Sequence, residues 1–428
     1  MICAIRNKRG ENMFKRIICA VAALTVLFGG VSASALDVTS KAAYVADVTT
    51  GECYYEKNSE EMLAPASMTK VMTVYIIYDK IRSGELAKDT LIVADAEDDA
   101  ASLDSDATNV RLVEGHAYSV DELIGAIMVP SACAASAMAA KRISGSEAAF
   151  AQLMNETAAK LGLNAYYEDS SGLSDADRIT ASSMARLAIR LINEFPDVLN
   201  YTSKPYIIFE GKKYNATNHM LPDDNQAYWG TDGLKTGTTT LAGYCFTATA
   251  VHDGIRLVSV TMHSSTSGNR FPDSKKLLDY GFDRAYSLYN HLFATDMRVK
   301  INGNEIPAFY YGGPDKGLVF IIEDLKDYGF DITWNDDTRT VSARYDKERD
   351  VSPIPMEMYR GYENGAQLFD IFRGSDIKAE VSCGENSYMF NHVYPLNGYT
   401  AVSADEMINT AKSCEWNGAE RCLEISLD

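Results

Sequence analysis

Histidine and cysteine are both sparse in this chain, six and eight in 428 residues. No cysteine and histidine lie together at metal-ligand spacing, so neither a metal nor a cofactor is expected. The acidic run Asp95 to Asp106 lacks the fixed D-x-D-x-D-G spacing of a calcium loop and reads as solvated surface. Basic charge is short as well, 40 Lys and Arg against 59 Asp and Glu, for a net −19. An acidic surface argues against nucleic acid, whose phosphates it repels, and against docking on anionic lipid. Long hydrophobic runs are missing too. The apolar stretch Ile17 to Val31 is too short and too rich in small residues to make a good membrane span.

That stretch has another use. Met13-Phe14-Lys15-Arg16 precedes it and Ala33-Ser34-Ala35 ends it, the pattern of a positive n-region, a short h-region and a small-residue cleavage site. Residues 1–35 are therefore expected to be a removed signal peptide, with Met13 a natural start, and the protein to be exported. The segment holds five basic residues against Glu11, a net +4, which leaves −23 for the rest. It also takes Cys3 and Cys19 with it. Export permits disulfides, but six cysteines in a chain this long are not a disulfide framework. Cys414 and Cys422 flank Asn417-Gly418 and would face each other across a hairpin if bridged; the alternative is isolated buried thiols. The chain ends without an amphipathic helix, so attachment to a membrane would need an uncleaved signal.

The stretch Pro65-Ala66-Ser67-Met68-Thr69-Lys70 through Tyr78 organises the rest. The pattern predicts a helix starting just after Pro65 and reaching about Ile81. Beyond Lys70 it is apolar on nearly every face, which marks a helix buried inside a domain. At a spacing of three, Ser67 and Lys70 share one face of it. An amine desolvated there loses affinity for its proton and can act as base toward the hydroxyl.

Around this helix, residues 42–55 read as a hairpin, and helical patterns recur at Ser119–Ile127, Ala134–Ile143, Glu147–Leu161 and Thr180–Asn193. Strands return at Gly233–Gly237, Tyr244–Ala250 and Arg256–Met262, with a helix from about Pro272 to Tyr289. Strands at both ends of the segment with helices between predict an α+β domain over 36–290. From Met297 short strands take over, and a repeat appears: Trp334-Asn335 with Arg339 returns as Trp416-Asn417 with Arg421, 82 residues on. Two small α+β modules, 296–346 and 363–428, are expected, joined by a linker at 347–362.

Two further motifs sit downstream of Ser67. Ser131, 64 residues on, lies in the loop Met128-Val129-Pro130-Ser131-Ala132-Cys133 and is placed to relay protons to a leaving amine. Lys235, 168 residues on, opens Lys235-Thr236-Gly237-Thr238. On an edge strand this offers a cation and a hydroxyl to a carboxylate, with backbone N–H groups left for an oxyanion. Each motif alone is ordinary; the three in this order point to serine acyl transfer.

The triplet resembles that of the penicillin-binding proteins and serine β-lactamases. The finer likeness, over residues 38–290, is to the low-molecular-mass penicillin-binding proteins that are serine-type D-alanyl-D-alanine carboxypeptidases (peptidase S11). It also draws on Ala242-Gly243-Tyr244-Cys245 and Ser274-Lys275-Lys276-Leu277-Leu278. The resemblance implies a penicillin-binding/β-lactamase-like fold, peptidoglycan stem peptides as substrate and β-lactams as covalent inhibitors. It makes Ser67 the nucleophile, Lys70 its base and Ser131 the relay. Lys235 and Thr236 would bind the substrate carboxylate, with Gly237 letting the backbone approach closely; Arg270 would stand near the carboxylate, and Thr238 N–H with Ser67 N–H would form the oxyanion hole. The C-terminal repeats look like the small domain named for the N-terminus of copper amine oxidases. No copper is implied, since His392 is the last histidine and stands alone after His291. A spacer or a contact to the cell wall is the expected role.

One position departs from the family pattern. Cys133 stands where asparagine is usual, and a thiol is a weaker donor to a substrate carbonyl. That leaves room for a disabled site serving as a wall-binding scaffold. A Cys133 nucleophile has no histidine nearby in sequence. A β-lactamase would need a deacylating glutamate in E-x-x-L-N context; Glu168 falls in the right region, but Ser171-Gly172-Leu173 follows it, as in the carboxypeptidases. Endopeptidase action on cross-links would use the same residues.

Overall fold

The computed structural model describes residues 36–252, 254–313, 316–359, 362–372 and 376–427, so the expected signal segment 1–35 lies outside the described residues. Residues 40–428 form one compact unit, distinct from 1–39. Its first part is a five-stranded antiparallel sheet built from β1 (Ala42–Asp47), β2 (Cys53–Lys57), β3 (Thr231–Thr239), β4 (Gly243–His252) and β5 (Ile255–Ser264). The strand order is β2-β1-β5-β4-β3. The two ends of the segment thus meet in one sheet, Ala42 opposite Met262 and Asp47 opposite Leu257. β1, β4 and β5 are buried on both faces along most of their length, their alternating Thr247, Thr249, Ser259 and Thr261 included, because helices cover both faces.

Between β2 and β3 lies the helical lobe. A 3₁₀ turn, Ala66–Thr69, runs into α1 (Lys70–Arg82). After it come α2 (Ala96–Ser102), α3 (Val120–Met128), α4 (Cys133–Ser144), α5 (Glu147–Lys160) and α6 (Ala181–Glu194). Every residue of α1 from Lys70 to Tyr78 is buried, as the unbroken apolar pattern predicts, since α3, α4, α5 and α6 all pack against it. α7 (Ser267–Tyr289) crosses β1, β2, β4 and β5 and closes the domain.

Two local expectations change. The acidic run is not uniformly solvated: Asp95 caps α2, accepting from the N–H groups of Glu97 and Asp98, both at 2.9 Å. Acidic residues at a helix N-terminus are favoured by its dipole, and Asp98 turns inward to meet Lys141 at 2.7 Å. α7 begins five residues before Pro272, where Thr266 caps it by accepting from Asn269 N–H (3.2 Å). The cap sets the start, and the proline falls inside the second turn.

Beyond α7 the strands are β6 (His291–Phe293), β7 (Arg298–Ile301), β8 (Asn304–Ile306), β9 (Ala308–Tyr311), β10 (Gly317–Ile321), β11 (Phe330–Asn335) and β12 (Thr340–Tyr345). They continue as β13 (Gln367–Asp370), β14 (Lys378–Cys383), β15 (Asn386–Met389), β16 (Val393–Leu396), β17 (Tyr399–Ser403), β18 (Ser413–Asn417) and β19 (Cys422–Ser426). The strands β7–β12 and β14–β19 repeat the same element order but share their sheets. β7 of the first copy pairs in parallel with β19 of the second, and β12 of the first with β14 of the second. β10 and β17 join them in a six-stranded sheet. One apolar cluster, including Val299, Phe330, Val381 and Ile425, runs through both copies. The two copies thus share one core, against the expectation of two separate small modules; strand exchange buries edges that each copy would otherwise leave open. Cys414 and Cys422 are both free thiols: Cys422 stands opposite Asn417 and Cys414 opposite Ile425, so they do not face each other. Among the described residues no helix is long and apolar enough to cross a membrane, and no cluster of metal-ligating side chains occurs.

Candidate active site

The site forms where the 3₁₀ turn at the head of α1 meets β3 and two loops. Pro65 leads into the turn, Ala66 takes a left-handed φ of +49°, and Ser67 is left half-buried between buried neighbours. The i, i+3 spacing then does what the sequence suggests: Lys70 Nζ lies 3.0 Å from Ser67 Oγ. It also lies 2.7 Å from the Ser171 carbonyl oxygen and 3.3 Å from Cys133 Sγ. All three neighbours can accept from the amine, which sets Nζ between the nucleophile, the head of α4 and the loop that carries Ser171. Lys70 has no exposed surface, so no solvent competes for it.

Ser131 occupies the turn between α3 and α4, nearly buried and in the left-handed region at φ +74°. Two residues on, Cys133 begins α4 and delivers its thiol to Lys70, which joins this loop to the nucleophile turn. β3 approaches from the other side. A Cβ on Gly237 would lie 2.4 Å from Pro65 O and 3.2 Å from Met68 N, so only glycine lets the strand run this close to Ser67. Lys235 is buried, with Nζ donating to Thr236 O at 3.0 Å. Burial and the charge of Lys70 push its pKa well below the ordinary lysine range. Arg270, in the first turn of α7, is buried and donates from Nη1 to Thr238 Oγ1 (2.9 Å) and Gly237 O (3.2 Å). Its Nε has no partner among the described residues. Ser67, Lys70, Cys133, Lys235, Thr236, Gly237, Thr238 and Arg270 are thus brought to one cleft, with the Ser131 turn beside them.

The loop 168–179 contributes groups that motif spacing does not reveal. Its Ser171 acts through a carbonyl, which carries no side-chain signature. Gly172 (φ +82°) runs against the nucleophile turn: a Cβ there would sit 1.9 Å from Ala66 O. Asp169 Oδ1 accepts from Ser171 N–H at 2.6 Å and holds the loop's bend. Thr217 is another unheralded participant. Its N–H donates to Val129 O (3.2 Å) and its hydroxyl receives that of Thr236 (2.6 Å), tying the Ser131 loop to β3. Glu168, by contrast, is exposed and receives the Ser174 hydroxyl (2.9 Å), which leaves it outside the cleft.

The family model for D-alanyl-D-alanine carboxypeptidase, Peptidase_S11, matches residues 30–266. The D-alanyl-D-alanine carboxypeptidase DacF of Bacillus subtilis is 28% identical over 338 residues, 77% of this chain and 84% of its own length. DacC of Escherichia coli is 31% identical over 255 residues, 57% of this chain and 62% of its own. Among solved structures, penicillin-binding protein D2 from Listeria monocytogenes in its ampicillin-bound form is 32% identical with a TM-score of 0.50, covering 57% of this chain and 98% of that one. A peptidoglycan synthesis regulatory factor (PBP3) from Streptococcus pneumoniae is 27% identical with a TM-score of 0.56, covering 66% and 85%. With the sheet, the buried helix and the three motifs in the same segment, the chain belongs to the D-alanyl-D-alanine carboxypeptidase family, peptidase S11.

Proposed function

We propose that this protein is an exported serine D-Ala-D-Ala carboxypeptidase that removes the terminal D-alanine from peptidoglycan stem peptides through an acyl-enzyme on Ser67. The observation that carries the reading is the desolvated Lys70 amine 3.0 Å from the Ser67 hydroxyl, with neutral groups as its other partners. Lys70 takes the Ser67 proton as Oγ attacks the penultimate D-Ala carbonyl. The N–H groups of Ser67 and Thr238 receive the oxyanion. The C–N bond then breaks, and the departing amine takes its proton from Lys70 by way of Ser131. Water, activated by the same amine, hydrolyses the ester and frees Ser67. Lys235, Thr236 and Arg270 hold the substrate's terminal carboxylate, and Gly237 keeps the strand close enough to do so. Cys133 takes the place of an asparagine donor to the acyl amide, weakening one substrate contact without removing nucleophile, base or oxyanion hole.

β-Lactams are expected to acylate Ser67, since their strained amide mimics D-Ala-D-Ala and their acyl-enzyme hydrolyses slowly. The export reading rests on residues 1–35 and places the enzyme at the extracytoplasmic envelope. We further infer that the C-terminal body, with its resemblance to the copper amine oxidase N-terminal domain, acts as a spacer or wall contact. Trp334 and Trp416 support it: they stand at equivalent places on the edge strands β11 and β18 and are 46% and 50% exposed. Fluorescent-penicillin labelling of the mature chain and of Ser67→Ala, with D-alanine release from a Lys-D-Ala-D-Ala peptide, tests the enzyme. Labelling and release that both vanish in Ser67→Ala are expected; release that survives the substitution would overturn the assignment.

A further inference from the structure

Beneath the nucleophile turn lies a carboxyl that the acyl-transfer steps do not use. Asp177 has no exposed surface. One oxygen accepts the Thr69 hydroxyl at 2.9 Å and the other accepts Glu168 N–H at 2.8 Å. No cation is paired with it among the described residues. Arg178, its neighbour in sequence, turns its guanidinium to the carbonyls of Asp175 and Asp177, at 2.6 and 2.7 Å. From α1, Lys70 points to Ser67, Cys133 and Ser171; from α5, Glu147 is occupied by Ser170 N–H and Oγ. The charge that does bear on Asp177 is Asp169, of the same sign, and the buried Tyr167 phenol stands close by. Burial, only partly offset by the Glu168 hydrogen bond, raises the Asp177 carboxyl to about 7.

Such a group opposes folding once it ionises. In an unfolded chain an aspartate ionises near ~3.9. With the folded value raised, the stability present below the unfolded pKa is lost as pH rises from there through the folded one. An asparagine of the same shape would avoid that loss but would turn an amide donor toward one of the two donors it meets, so volume alone does not account for an aspartate here.

Its position does. Thr69 sits between Ser67 and Lys70, at the junction of the 3₁₀ turn and α1. The loop that ends at Asp177 supplies Ser171 O to Lys70 and Ser170 O to the Thr73 hydroxyl (2.6 Å). We propose that Asp177 is a positioning residue of the acyl-transfer site: through Thr69 it locks the turn that carries Ser67, and through Glu168 N–H it fixes the loop that presents Ser171 O to Lys70. The proposal rests on Ser67 and Lys70 as nucleophile and base.

The test uses the full mature chain and three variants, Asp177→Asn, Thr69→Val and the double substitution. The second-order rate of labelling by a fluorescent penicillin is followed across the neutral pH range, together with the thermal midpoint. Asp177→Asn is expected to acylate on the order of tenfold more slowly, as loss of a charge-assisted contact that aligns the reacting groups allows. At about pH 8 its thermal midpoint stays level or rises, because the buried charge is gone, and its rate changes less with pH across neutrality. Thr69→Val slows acylation similarly, and the double variant is no slower than the slower single, because both act through one contact. Wild-type rates in Asp177→Asn at every pH would overturn the proposal alone. So would a rate loss that tracks a lost thermal midpoint, with additive singles. Should Asp177→Asn fail to fold, Thr69→Val decides, and a wild-type rate there overturns it. Labelling that persists in Ser67→Ala would instead remove the nucleophile assignment, and this proposal with it.

Discussion

In the catalytic domain Lys70, Asp177, Lys235 and Arg270 are all at most 8% exposed, beside the well-partnered Asp47, Asp98 and Asp273, whereas in the C-terminal body Glu406 is the one charged side chain buried among the described residues. Glu406 is fully attended: it accepts the Tyr388 hydroxyl at 2.8 Å and the N–H groups of Asn391 and His392 at 2.8 and 3.0 Å. Those contacts hold its carboxyl below the usual range despite burial, the state expected of a carboxylate that serves structure. The first four groups of the catalytic domain are served less well. Lys70 and Lys235 face neutral atoms, Arg270 keeps an unpartnered Nε, and Asp177 lacks a cation. Both regions hold buried apolar clusters, so the presence of a core does not tell them apart. A buried charge with too few partners does, because chemistry needs groups whose charged state is not already satisfied.

The sharpest way to break that comparison is to remove the base beside Ser67. Lys70→Met keeps the volume and takes a polar group out of an apolar helix. Labelling by a fluorescent penicillin should fall on the order of 10²–10⁴-fold, the range of a lost general base, while thermal stability holds or rises. Joint loss of stability and labelling would mean that Lys70 is structural in the manner of Glu406.

A smaller effect is expected at Lys235. Burial and the neighbouring Lys70 charge lower its pKa, and only its protonated form attracts a substrate carboxylate. KM for a D-Ala-D-Ala peptide should therefore rise as pH passes upward through that lowered value, by up to about tenfold per pH unit. Lys235→Arg, whose charge persists, should flatten this limb. An unchanged profile would show that the carboxylate is met elsewhere.

How much of this was legible depended on which atoms carry the role. Ser67, Lys70, Ser131, Lys235 and Thr236 carry their proposed roles on side chains at fixed offsets, and the family resemblance those offsets carry implied the fold. Ser171 acts through its carbonyl, and Thr217 and Asp177 act on other residues, so no spacing rule points to them. Pro272 drew the start of α7 too late because a proline is the usual sign of a helix start, while Thr266 held the actual cap. The repeat around Trp334 and Trp416 was readable, but the parallel pairing of β7 with β19 and of β12 with β14 was not. Exchange between copies leaves the local pattern of each strand unchanged.

The smallest effect concerns the body as a whole. The register of the sheet sets Gly237 opposite Cys245 at one end of the strands and Thr231 opposite Ala250 at the other. Asp47 and Leu257 share that second end. α7 starts beside Gly237, through Arg270, and finishes where the Tyr289 hydroxyl meets Asp47, about 35 Å away for its 23 residues at the usual rise. The C-terminal body follows from there, and its Lys316 stands 4.0 Å from Glu52, in the turn beyond Asp47. No side chain described at the cleft draws on it. Deleting residues 291–428 should therefore leave penicillin labelling within about twofold, as expected for independent sites, while cutting after residue 346 should unfold the remaining first copy, which loses the partners of β7 and β12. A large fall in labelling on deletion would mean that the body supports the cleft through the sheet, and that the two regions are one cooperative unit.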